Sequence, residues 1–170
     1  HKATGEMIRG EGVDVACYVR GGFFTAFEGA DRVKAIDENK RIIDEAAELG
    51  APLVVLVCGA TPGQSLFESR KQIAEGIAAS LEHAESVGIK LGIEPLHPMY
   101  ADSRSAVNTM TQANAICDDI GHTNLGITVD VFHTWWDDRL EAELKIAGEK
   151  NRIFSFHICD WKNLPEDMLN

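Results

Sequence analysis

The chain has 170 residues, of which 45% are hydrophobic and 25% charged, and a formal net charge of −11. This composition is typical of one packed globular domain and is too apolar for a disordered chain. The negative charge disfavours binding to nucleic-acid phosphates. We find no signal peptide and no apolar run near the roughly 20 residues of a membrane span, so we expect a cytoplasmic protein with small-molecule partners, no nucleic acid and no membrane.

Short β-rich segments alternate with long amphipathic segments along the whole chain. Residues 1–12 have the pattern of a helix end and a turn. We then predict strand 13–20, helix 32–49, strand 53–58, helix 65–87, strand 91–94, helix 105–120, strand 125–130, helix 138–148, strand 153–157 and a loop at 164–170. This alternation predicts a parallel α/β fold.

The four cysteines are widely separated and form no Cys-x-x-Cys pair. Neither a zinc ribbon nor a disulfide framework is therefore expected. We predict free, buried thiols at Cys17, Cys58, Cys117 and Cys159.

A parallel sheet with this element order can be an open doubly wound sheet or a (β/α)8 barrel. The first predicted strand is not followed by the Gly-x-Gly-x-x-Gly phosphate turn that an open nucleotide-binding sheet would favour. A complete barrel needs about 250 residues, whereas five strands fit the 170 residues of this chain. We therefore expect residues 1–170 to be a single domain, an internal part of a (β/α)8 TIM barrel with about five βα units.

Three predicted strands end in a side chain that can bind a metal: Glu94, Asp130 and His157. In neighbouring parallel strands these side chains emerge at the same carboxyl edge. Two carboxylates and an imidazole suit a divalent ion such as Mn, Mg, Co or Zn, and we expect their metal-facing atoms to lie within about 5 Å of one another. Proton transfer from a carbon next to a carbonyl needs a base and an electrophile. The divalent ion would be the electrophile, and we predict Glu94 as the catalytic base.

Other interpretations of these residues stay open. Asp130 could cap a following helix, and His157 could be a core histidine. Glu94 is followed by Pro95 at a place where no helix begins, so capping explains it poorly.

Substrate-binding candidates surround the three strand ends. His133, three residues after Asp130, could orient a substrate hydroxyl, and His97 is a further candidate. Arg20 could bind a carboxylate or phosphate of the substrate. Trp135 could form an aromatic wall against a sugar ring, although core packing explains a tryptophan equally well.

Three motifs resemble the xylose-isomerase-like TIM barrel superfamily, in its sugar phosphate isomerase/epimerase group (AP endonuclease family 2-like). They are GIEPLHPMY at 92–100, DVFH at 130–133 and FHICDW at 156–161, and RGGFF at 20–24 also looks like this group. The resemblance implies that the chain holds strands three to seven of the barrel, without the first two strands and the last. It also implies Glu94, Asp130 and His157 as three metal ligands, with a fourth, a glutamate, beyond Asn170.

The resemblance further implies that metal-dependent ketose epimerases use two ligand glutamates as acid and base. Asp160 matches the acidic residue that these enzymes place three residues after the ligand histidine. Asn163 and Tyr100 replace an arginine and a glutamate of their pattern, which weighs against a specific ketose-epimerase assignment.

Together these patterns predict a metal-dependent sugar isomerase or epimerase that works by proton transfer next to a carbonyl, through a metal-stabilised enediolate. An inosose-type dehydratase, a lyase, would use the same site. A truncated barrel that only binds or assembles, and a phosphodiesterase of the AP endonuclease kind, remain alternatives, the latter disfavoured by the acidic charge. Because an open sheet leaves strand edges unpaired, we expect a homo-oligomer.

Overall fold

The structure is a computed structural model that describes residues 1–159, and it contains six α-helices and five β-strands within that range. In chain order these are α1 (Lys2–Gly10), β1 (Tyr18–Gly22), α2 (Gly29–Leu49), β2 (Leu53–Val57), α3 (Leu66–Ser86), β3 (Lys90–Ile93), a 3₁₀ turn (Pro98–Tyr100), α4 (Met110–Ile120), β4 (Leu125–Asp130), α5 (Val131–Thr134), α6 (Leu140–Glu149) and β5 (Ile153–His157). The loop predicted at 164–170 lies outside the described residues.

The five strands form one sheet in the order β1-β2-β3-β4-β5, and every neighbouring pair is parallel. This confirms the predicted fold class, a partial parallel barrel of five strands with intervening helices. Within residues 1–159 no helix is both long and apolar enough to cross a membrane. Self-association of the chain stays a prediction.

The sheet is strongly curved. In a flat sheet, four strand spacings of about 4.8 Å would separate β1 from β5 by about 19 Å. Yet Cys17, the residue before β1, has its Sγ only 3.9 Å from Nε2 of His157 at the end of β5. The two outer strands therefore bend toward each other, as strands of a barrel do.

One face of the sheet forms the core with the helices. Side chains of β3 and β4 on this face are buried against residues of α2, α3 and α4, and the main members are Ile43, Ile73, Ile77, Leu81, Leu91, Ile93, Ile116, Leu125, Ile127 and Val129. Because successive side chains of a strand point to opposite faces, Gly92, Glu94, Thr128 and Asp130 project from the other face, into the concave side. The core thus directs the predicted ligands inward.

Two predicted starts, those of β1 and α4, were wrong by five residues each. β1 begins at Tyr18 rather than residue 13 because its ladder with β2 starts only at the Tyr18–Val54 pair. It also extends to Gly22, where the buried Asn39 side chain accepts from the backbone N–H and donates to the backbone C=O of Gly22, both at 2.6 Å.

The other boundary is the start of α4, predicted at 105 and observed at Met110. Residues 105–108 instead pack against a neighbouring loop, where the N–H of Ala106 donates to the C=O of Gly59 at 2.9 Å. Thr109 then caps the helix, its side chain accepting from the N–H of Gln112 at 3.2 Å.

Candidate metal centre

The three predicted ligands lie at the carboxyl ends of three adjacent strands. Glu94 directly follows β3, Asp130 ends β4 and His157 ends β5. Asp130 and His157 are partners in the β4–β5 ladder. Parallel pairing therefore brings together residues that are up to 63 positions apart in sequence.

One ligand atom from each of Glu94, Asp130 and His157 lies within 4.8 Å of the other two. The Nδ1 of His157 is 3.2 Å from Oε1 of Glu94 and 3.7 Å from Oδ2 of Asp130. Metal–ligand bonds of about 2.0–2.3 Å place two ligands of one ion at most about 4.6 Å apart. Both separations from His157 fall within this limit, and the oxygen and nitrogen donor set suits a single divalent ion.

The electrostatic environment of Glu94 also favours a bound cation. Its side chain is buried, with 9% relative exposure. Burial raises the pKa of the Glu94 carboxyl, the neighbouring Asp130 raises it further, and His157 lowers it. Two carboxylates this close repel each other, and a cation between them would remove that cost.

Asp130 uses its two oxygens differently. Oδ1 accepts from the backbone N–H of Phe132 at 2.8 Å and so caps the short helix α5. Oδ2 faces His157. The capping and ligand interpretations of Asp130 are therefore compatible, because each involves a different oxygen.

His157 is not a core histidine, since its side chain is 27% exposed and both ring nitrogens face functional groups. Nδ1 lies toward the two carboxylates, and Nε2 lies 3.9 Å from Sγ of Cys17.

His133 and His97 lie side by side at this edge of the sheet. Nδ1 of His133 is 3.2 Å from the backbone nitrogen of His97 and accepts its hydrogen. Burial lowers the pKa of the His133 imidazole, so the neutral ring carries its proton on Nε2. The aromatic ring of Tyr100 packs on His133, and that of Trp136 packs on His97, with centroid distances of 5.8 and 5.9 Å.

The remaining substrate-binding candidates are less closely placed. Arg20 is exposed on β1, two strands away from β3, with its guanidinium 4.8 Å from the ring centroid of Phe23. Trp135 follows α5 and is 50% exposed. Asp160 lies outside the described residues.

Sequence reasoning missed the cysteines of this site. Cys58 and Cys117 are buried as predicted, but Cys17 is half-buried and Cys159 is exposed. The Sγ of Cys159 lies 3.1 Å from Oδ1 of Asp130. Cys159 could have been found because it lies two residues after His157, on the same side of an extended chain. Cys17 had no such signal, since only sheet curvature brings it to the site.

Comparison with known proteins identifies a matching family model and several similar enzymes. Residues 2–169 match the family model described as xylose isomerase-like TIM barrel. Inosose isomerase of Bacillus velezensis is 32% identical over 132 residues, which cover 76% of this chain and 45% of the relative. The 3-dehydroshikimate dehydratase of Pseudomonas aeruginosa is 34% identical over 152 residues, covering 86% of this chain and 22% of the relative. The chain spans about half the length of the inosose isomerases that it matches.

Two solved structures extend the comparison. A protein from Sinorhizobium meliloti superposes with a TM-score of 0.89 and 46% identity, covering 96% of this chain and 61% of that one. The IOLI protein, solved with a bound zinc atom, superposes with a TM-score of 0.79 and 25% identity, covering 99% of this chain and 59% of that one.

Proposed function

The chain belongs to the xylose isomerase-like TIM barrel family, and we propose that it carries the metal-binding part of a sugar isomerase or epimerase. The substrate would be a small sugar or a polyol-derived ketone, and the reaction a proton transfer next to its carbonyl. The observation that carries the proposal is the approach of Glu94, Asp130 and His157 to within 4.8 Å of one another. Inosose isomerases among the relatives support the substrate class.

In this proposal Glu94, Asp130 and His157 hold the divalent ion, which is Mn, Mg, Co or Zn. When bound, such an ion supplies an electrophile for the carbonyl oxygen of the substrate. The zinc atom in the IOLI structure supports this kind of cofactor. A fourth ligand beyond Asn170 stays a prediction, as does the reconstruction of residues 1–170 as strands three to seven of the barrel.

Glu94 is the proposed base. Its carboxylate lies at the candidate ion position, 3.2 Å from Nδ1 of His157, so a substrate whose carbonyl oxygen met the ion would bring the neighbouring carbon within reach of this base. It takes the proton from the carbon next to the carbonyl and can return it to that carbon or to its neighbour.

His133 is the proposed hydrogen-bond donor to the substrate. Because the backbone N–H of His97 occupies Nδ1, the ring proton is on Nε2, available to a carbonyl or hydroxyl oxygen. We retain His97 and Trp135 as substrate-binding proposals because His97 contacts His133 and Trp135 directly follows α5, the helix that contains His133. Arg20 and Asp160 stay predictions from the sequence.

A second candidate is a dehydratase of the inosose type. The 3-dehydroshikimate dehydratases among the relatives favour it, one of them at 34% identity. Its first step is the same proton abstraction by Glu94. The second step differs, because the electron pair left on carbon expels a hydroxide from the adjacent carbon.

Solvent deuterium exchange at the substrate carbon tests the shared first step. With inososes and ketoses and an added divalent ion, the full-length protein should exchange this proton, and Glu94→Gln should slow the exchange by about 10²–10⁴-fold, the usual contribution of a general base. Glu82→Gln, on the exposed face of α3, is the matched control and should exchange normally. Formation of an epimerised ketone or of a dehydrated product separates the two candidates.

Three outcomes would count against the proposal. Undiminished exchange in Glu94→Gln would remove this residue from the role of base. Failure of the protein to bind any of the four ions would remove the metal centre. Tight metal binding with no exchange on any substrate would favour the barrel part that only binds or assembles.

A further inference from the structure

The Asp130 carboxylate has two hydrogen-bond donors on one oxygen. The backbone N–H of Phe132 donates to Oδ1 at 2.8 Å, and the thiol of Cys159 lies 3.1 Å from the same atom. The other oxygen, Oδ2, is 3.7 Å from Nδ1 of His157. The carboxylate is therefore held so that Oδ1 faces its donors and Oδ2 faces the candidate ion position.

The chemistry of the thiol fits the role of donor. A thiol S–H is a hydrogen-bond donor, and Sγ of Cys159 lies within donor distance of Oδ1. A carboxylate oxygen has no proton and can only accept. The hydrogen of Cys159 thus belongs between Sγ and Oδ1. This hydrogen bond occupies Oδ1 of Asp130, which could otherwise turn toward an ion.

The backbone N–H of Phe132 cannot provide this orientation alone. A carboxylate anchored by one hydrogen bond can still rotate about its Cβ–Cγ bond and bind an ion through both oxygens. A second donor on the same oxygen, from the segment that follows β5, restricts that rotation. Cys159 is suited to it because it follows β5, whose last residue His157 pairs with Asp130.

We propose that Cys159 is a positioning residue of the metal centre, which fixes Asp130 so that it binds the ion through Oδ2 alone. The inference rests on the proposed metal site and adds to it a residue that is not a ligand. Groups that hydrogen-bond metal ligands typically change metal affinity by about 10- to 100-fold. Because Phe132 keeps its hydrogen bond, we expect an effect at the lower end of this range.

The test compares metal binding by four forms of the protein: wild type, Cys159→Ala, Cys159→Ser and Ile158→Ala. Titration with Co²⁺ measures affinity, and the visible absorption of bound Co²⁺ reports coordination, since it weakens as the coordination number rises. In Cys159→Ala, affinity should fall about tenfold and the absorption should weaken as Oδ1 joins Oδ2 on the ion. The Ser variant keeps a donor and should restore most of both properties.

Ile158→Ala is the matched control because Ile158 is the adjacent residue and is 83% exposed. It should bind Co²⁺ as the wild type does. Equal affinity and an equal spectrum in wild type and Cys159→Ala would overturn the role of Cys159 while leaving the metal centre intact. A wild type that binds no Co²⁺ would overturn the metal centre itself, and the role of Cys159 with it.

Discussion

Replacing Gly92 by alanine should disturb the residues that lie beneath the candidate metal centre. Gly92 lies two residues before Glu94, and Thr128 two residues before Asp130, all on the concave face of the sheet. A Cβ on Gly92 would lie 2.6 Å from Oγ1 of Thr128 and 3.2 Å from Cδ1 of Leu53. Thr128 is fully buried, so its side chain has little room to move and the backbones of β3 and β4 should separate.

The magnitude follows from the kind of contact. Inserting a methyl group into a packed interior typically costs 1–3 kcal/mol, so we expect Gly92→Ala to lower the free energy of unfolding by about 2 kcal/mol. Thr128→Ala alone should be nearly neutral. It loses one buried methyl, worth about 0.8 kcal/mol, but also removes a buried hydroxyl that has no hydrogen-bond partner among the described residues.

The double variant isolates the contact between the two side chains. With Oγ1 removed, the alanine at position 92 meets mainly Leu53 at 3.2 Å, so its cost should fall by about 1–2 kcal/mol, a typical coupling between residues in contact. Urea unfolding of the wild type, both single variants and the double variant measures this coupling. Titration with Mn²⁺ should show weaker binding in Gly92→Ala and recovery in the double variant.

Two results would contradict this packing. An unchanged unfolding free energy in Gly92→Ala would show that β3 and β4 are not packed as described. If Gly92→Ala lowers the free energy of unfolding equally in the wild type and in Thr128→Ala, a contact other than that with Thr128 is responsible.

Two further predictions concern stability away from the centre. In Gly76→Ala the new methyl would overlap the ring of Phe24, which is 1% exposed, so urea unfolding should show a free energy of unfolding lower by about 1–3 kcal/mol. The control Gly148→Ala, in open space on α6, should instead raise this free energy by up to about 1 kcal/mol. Equal effects of the two substitutions would contradict the packing of Gly76 against Phe24. Hydrogen bonds from Lys150 and a neighbouring arginine lower the pKa of Asp118. This carboxylate therefore contributes stability at neutral pH that is lost as the pH falls through its folded pKa. Asp118→Asn should be less stable than wild type at pH 7 and equally stable in strong acid. A stability difference that does not change with pH would contradict the interaction of Asp118 with its basic partners.

Much of the fold was accessible from local patterns in the sequence. The run of apolar residues in β2 is buried along its whole length, with the burial expected of a central parallel strand. Gly50 and Gly121, which follow α2 and α4, both adopt the left-handed conformation that is typical of a helix C-cap. These features depend on residues within one turn or one strand, so the local sequence is sufficient to determine them.

The wrong boundaries have a common cause. Residues 13–17 have a β-rich pattern, but β2 offers them no partner below the Tyr18–Val54 pair. Residues 105–108 have a helical pattern, but Ser105 forms a bridge with Gly59 instead. In both segments the conformation depends on which distant backbone has free hydrogen-bonding groups, and local propensity does not contain that information.

The sequence by itself determined the order of strands and helices and placed a metal-ligand side chain at each of three strand ends, because these depend on periodicity and residue type. Only the tertiary structure decided which groups the individual atoms of those side chains contact. It assigned one oxygen of Asp130 to a helix cap and the other to His157, and it brought Cys17 to a histidine 140 positions away. The physical reason is that such roles depend on strand pairing and sheet curvature, which arise from contacts between distant parts of the chain.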